Sequence, residues 1–134
     1  MKSNLKPILL LVLIAVVLPE LLTGSSSIST FLSPLHLIIL FFGYGLPVLL
    51  VREITVRKNF SFGGVIVLGF AGGVFSEGFL AKTLIRASEL PVSQYNDYGY
   101  ILGVSLPFTV VIGFWHALAS LLMPILLVYW LYPE

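Results

Sequence analysis

Four long apolar runs divide the chain, over residues 7–23, 31–51, 60–81 and 100–132. A serine-rich loop ("TGSSSIST"), a charged turn ("REITVRKN") and a polar loop ("KTLIRASELPVSQYNDYGY") separate them. A helix that crosses the hydrocarbon layer needs about 20 apolar residues, and only a helix satisfies its own backbone there, so each run predicts one transmembrane helix. The expected fold is all-α: an integral membrane helical bundle of about four transmembrane helices, forming a single domain over residues 1–134. Pro7 suits the first turn of helix one. The same segment also fits a cleaved signal peptide, with its basic start, apolar stretch and small residues beyond. Its apolar stretch is long for a signal core and ends on Pro19-Glu20, which favours a retained helix. The last run as one helix would reach about 50 Å against a hydrocarbon core of about 30 Å. Pro107, Gly113 and Pro124 therefore predict a kinked, tilted or partly interfacial helix. A hairpin of two spans is disfavoured, because "GFWHALAS" at its centre holds no turn signal. At the end, "LVYWLYPE", an apolar helix meets Pro133-Glu134 and stops, and a C-terminally truncated product is one expectation.

Composition agrees with the pattern. Hydrophobic residues make up 58% of the chain and charged ones 10%, against roughly 25% charged in soluble domains, and the mean hydropathy is +1.06. A net charge of +1 offers no basic field for nucleic acid. With no cysteine, disulfides, thiolate metal sites and cysteine nucleophiles are excluded together. Of the seven basic residues, Lys2, Lys6, Arg52, Arg57 and Lys58 fall on one side of the four-helix arrangement and Lys82 and Arg86 on the other. The positive-inside rule then puts both termini in the cytoplasm of a multi-pass cell-membrane protein. Tyr95, Tyr98 and Tyr100 read as aromatic anchors at the outer interface.

Against this background each polar residue inside a span is conspicuous. Gly69, Gly73 and Glu77 recur at i, i+4 and i+8 on one helical face, flanked by Gly72 and Ser76. Small residues at this spacing let another helix approach closely, so Gly69 and Gly73 are candidate helix-packing positions. Glu77 then points inward, because a carboxylate near the bilayer centre costs about 2.5 kcal/mol or more on insertion scales, while an interior one finds a partner or takes up a proton. Its alternatives are a protonated interhelical hydrogen bond, or an outward reach toward Lys82 and Arg86. On the last helix Thr109, Gly113, His116 and Ser120 draw a second small-and-polar stripe. His116 reads either as a packed hydrogen-bonding residue or as a proton or metal ligand. Counted along straight helices, Glu77 and His116 lie about 12 Å apart in depth. Glu20, near the outer end of helix one, and His36, early in helix two, share the outer third of the membrane with Glu77. These four, Glu77, His116, Glu20 and His36, are the candidate buried polar site, for proton or cation handling. Glu20 and His36 also fit plain interfacial positions.

The segments Ser76–Lys82 and His116–Ser120 resemble pieces of uncharacterised prokaryotic polytopic membrane proteins and, distantly, the CAAX-protease and bacteriocin-processing (CPBP) family of intramembrane peptidases. In that family a paired-glutamate helix and histidines on later helices are implied to activate water at a metal. Here Ser76-Glu77 stands in place of two glutamates, Lys82 follows one position after the expected arginine, Ile112 replaces the expected phenylalanine, and no second histidine follows His116. The residues give no reaction, cofactor or metal of their own. They describe a multi-pass membrane protein acting in binding, transport or assembly, with the CPBP-like peptidase or an inactive relative as the alternative. The lipid bilayer is the expected partner, with a second copy or other membrane subunits beside it and no nucleic acid.

Overall fold

Between Lys6 and Glu20 no side chain is polar, and this stretch forms α1, Leu5–Glu20. The computed structural model describes residues 5–21, 24–85 and 99–133. The expected interfacial residues Tyr95 and Tyr98, with Arg86 and Lys2, lie outside them. Ser27 opens a short helix α2, Ile28–Phe31, by accepting the Thr30 N–H. After Ser33, with Pro34 in the first turn, α3 (Pro34–Leu40) passes through a π-helical turn π1 (Phe41–Gly45) into α4 (Leu46–Lys58). Asn59, in the left-handed conformation, ends α4 and turns the chain. Ser61 caps α5 (Phe62–Phe75), which continues as π2 (Ser76–Leu80).

The last apolar run departs from the expected helix start near Tyr100. Tyr100–Ile101 and Val104–Ser105 are strands β1 and β2 of a small antiparallel hairpin. Its turn residues Leu102 and Gly103 have φ of +53° and +81°, the sign a two-residue hairpin turn requires. The helix waits for Ser105, which caps it, and Pro107 in its first turn. It then runs as α6 (Leu106–Trp115), π3 (His116–Leu122) and α7 (Met123–Leu131).

Among the described residues three helices are long and apolar enough to cross a membrane, Pro34–Lys58, Phe62–Leu80 and Leu106–Leu131, rather than the four expected. The 16 residues of α1 fall short of the same length. Burial is inverted relative to a water-soluble protein: Val67, Phe75, Leu118 and Trp130 point outward, while Glu20, Ser76, Glu77, His116 and Ser120 are buried. That is the arrangement a hydrocarbon solvent selects, since exposed apolar surface is costless there and polar groups are not.

Leu11, Ala15, Val48, Val51, Val65, Leu121 and Val128 join α1, α4, α5, π3 and α7 in one core. Against α6 and π3, α5 packs through glycine. A Cβ on Gly69 would stand 2.8 Å from the Ala117 Cα, and one on Gly113 would stand 2.5 Å from the Phe70 ring. These backbones approach as closely as small residues permit.

Two of the π turns precede prolines that lack the N–H a helix needs. Pro47 follows π1 and cannot donate to the carbonyl four residues back, that of Gly43. The Ser76 hydroxyl, 2.7 Å away on π2, donates to that carbonyl instead. Pro124 follows π3 in the same way, and a π turn is a common way for a helix to absorb such a misfit.

Candidate functional site

The three π turns bring the intramembrane polar residues together. π1 carries Tyr44, π2 carries Ser76 and Glu77, and π3 carries His116 and Ser120. π1 and π2 touch, α1 touches π1 and π3, and α5 lies along π3. Because a π turn re-aims the side chains that follow it, it recurs at functional positions in helices.

Glu77 and His116 meet at the centre of this cluster, with Nε2 of His116 3.4 Å from Oε1 of Glu77. Nδ1 of the same ring lies 3.0 Å from the Ile112 carbonyl oxygen. A carbonyl only accepts, so Nδ1 carries a hydrogen. A neutral imidazole then turns a bare Nε2 lone pair toward a carboxylate oxygen. Nε2 is buried without a hydrogen-bond partner, and the other carboxylate oxygen, Oε2, accepts the Thr83 hydroxyl. One added proton resolves this repulsion, either as imidazolium facing carboxylate or as carboxylic acid facing imidazole. Holding one nitrogen on a backbone carbonyl also fixes the tautomer and aims the other nitrogen.

A second carboxylate is linked to the imidazole through Tyr44. The Tyr44 ring stacks on the His116 ring, 5.3 Å between centroids and 7° from parallel, and its hydroxyl donates to Oε1 of Glu20 at 2.9 Å. Oε2 of Glu20 accepts the Ser26 hydroxyl at 2.6 Å, and the Ser26 oxygen lies 3.1 Å from Nε2 of His36. Glu20 is 8% exposed, and His36 is half-buried at the start of α3.

The depth count along straight helices put Glu77 and His116 about 12 Å apart, and the structure brings them into contact. The helix carrying His116 starts at Leu106, six residues later than expected, which lifts the histidine by about 9 Å. The glycine face supplies the lateral approach, because a Cβ on Gly73 would stand 2.5 Å from the His116 Cβ. Glu20 and His36 join through Ser26, and Tyr44 links that pair to His116. Tyr44, Ser26 and Thr83 escaped the sequence reading, although a phenol hydroxyl between Gly43 and Gly45 in an apolar run was a usable signal. Among the described residues no group of three His, Cys, Asp or Glu side chains converges to hold a metal ion.

No curated protein and no solved structure matches this chain. A family model described as an uncharacterized membrane protein family matches residues 9–134, and the chain belongs to that family.

Proposed function

We propose that this member of the uncharacterized membrane protein family is a proton-binding component of the cell membrane, with four spans and both termini cytoplasmic, acting in binding or transport. The observation that carries this reading is the Glu77–His116 pair: a buried Nε2 with no hydrogen-bond partner, aimed at a carboxylate oxygen 3.4 Å away. A buried pair in which a neutral imidazole faces a carboxylate is one proton short of a hydrogen bond and is built to take one up, and in a membrane interior such groups mark proton and substrate paths. The five basic residues Lys2, Lys6, Arg52, Arg57 and Lys58 support the cytoplasmic assignment of the end opposite the site. The site then lies toward the outer face. A metallopeptidase of the CPBP type would need further metal ligands, and Glu77 and His116 supply two.

The test uses the purified protein in lipid nanodiscs with nitrogen-15 in its two histidines. Ring-nitrogen spectra across pH should show His116 exchanging a proton in the wild type. In Glu77→Gln that exchange should change, because the carboxylate facing Nε2 is gone. Identical His116 titration in wild type and Glu77→Gln would overturn the proposal.

A further inference from the structure

We infer that His36, Ser26 and Glu20 form a proton relay that loads Glu20, a second buried proton-binding carboxylate, from the loop end of the protein. The inference rests on the proton-binding reading above and adds an entry route to it.

The hydrogen bonds fix the direction of the chain. Ser26 has one hydroxyl hydrogen and two partners, Oε2 of Glu20 at 2.6 Å and Nε2 of His36 at 3.1 Å. An ionised carboxylate only accepts, so the hydroxyl hydrogen goes to Glu20. The contact to His36 is then made by an N–H of the ring donating to the Ser26 oxygen. A histidinium at position 36 passes its Nε2 proton to that oxygen while the serine passes its own proton to Oε2. One N–H bond and one O–H bond break, and two O–H bonds form. Ser26 is regenerated, Glu20 becomes a neutral acid, and His36 becomes a neutral imidazole that takes its next proton from water. The exposure gradient runs the same way: Ser26 and His36 are half-buried, and Glu20 is buried.

The groups facing this carboxylate come from every element around it. Ser26 comes from the loop after α1, His36 from α3 and Tyr44 from π1. Behind the Tyr44 ring stand His116 of π3 and Glu77 of π2. Lys82, beyond π2, is exposed. Tyr44 donates to the other oxygen of Glu20, so the relay ends there and does not run on through hydrogen bonds to His116.

The experiment follows the protonated-carboxyl infrared absorption of nanodisc-embedded protein after a rapid drop in pH. It is done in the Glu77→Gln background so that the remaining buried carboxyl among the described residues is Glu20, with Glu20→Gln assigning the band. His36→Ala and Ser26→Ala should each slow the rise of the Glu20 band by about a hundredfold or more, the scale of a lost proton-transfer group. Ser26→Thr keeps the hydroxyl and should match the parent rate, and free imidazole in the buffer should restore His36→Ala. Parent-like loading in both alanine variants, or a slowing of His36→Ala that imidazole does not relieve, would overturn the relay. Because the readout is the Glu20 band with Glu77 already replaced, its failure is separate from failure of the Glu77–His116 reading, which is judged on the His116 titration alone.

Discussion

A Cβ on Gly73 would stand 2.5 Å from the Cβ of His116, so the hydrogen at position 73 is what lets the imidazole reach Glu77. The obstructing atom is the root of a side chain and cannot swing aside. Gly73→Ala should force α5 and π3 apart and lower stability by about 1–3 kcal/mol, the range for overpacking a tight interface. Val67→Leu, on an outward face, should cost little. Unfolding in bicelles, with the histidine spectrum recorded alongside, checks both. A Gly73→Ala protein with unchanged stability and an unchanged His116 signal would remove the packing argument.

The link from Ser76 to Gly43 compensates for Pro47, and that makes it separable by a double-mutant cycle. Ser76→Ala should leave the Gly43 carbonyl unpaired in a buried position and cost about 1 kcal/mol. In a Pro47→Ala background the restored N–H offers that carbonyl a helical donor, so the same Ser76→Ala change should cost less. Additive losses would mean that Pro47 and Ser76 act independently.

Tyr44 contributes a ring to His116 and a hydroxyl to Glu20, and two substitutions divide these roles. Tyr44→Phe keeps the stacked ring, so the upfield ring-current displacement of the His116 ring protons should persist, while the Glu20 carboxyl loses a donor and its infrared band moves. Tyr44→Leu should abolish the ring-current displacement as well. If Tyr44→Phe alone abolished it, the hydroxyl rather than packing would be holding the ring in place.

The residues that carry this site were visible in the sequence as intruders, because a span tolerates few polar side chains and Glu20, Glu77 and His116 stand out at once. Their meeting was not visible. Depth along a helix is counted from its end, and the end of the last helix depends on a hairpin whose signals, Gly99, Gly103 and the Ser105-Leu106-Pro107 start, sit inside an apparently continuous apolar run. The π turns are equally hard to read, since each adds one residue to a turn without changing composition. Tyr44, Ser26 and Thr83 complete the hydrogen bonding; a hydroxyl near a span end such as Ser26 or Thr83 has many unremarkable uses, whereas Tyr44 stands mid-span between two glycines and was the one of the three that the pattern marked.

The proposed topology places Ser25 and Asn59 on opposite sides of the membrane, and the chain makes this easy to examine because it contains no cysteine. Both residues are exposed, at opposite ends of the helix Pro34–Lys58. Arg52, Arg57 and Lys58 cluster at the Asn59 end, where Arg57 pairs with Glu53 at 2.6 Å, and such clusters are retained on the cytoplasmic side. Single variants Ser25→Cys and Asn59→Cys should therefore differ in intact cells. A membrane-impermeant maleimide should label the first directly and the second only after permeabilisation. The reverse result would invert the protein and turn the His36–Ser26–Glu20 end toward the cytoplasm. Labelling of both from outside would mean that Pro34–Lys58 does not cross the bilayer, in conflict with its 25 apolar-rich residues, which span about 37 Å as a helix against a hydrocarbon core of about 30 Å.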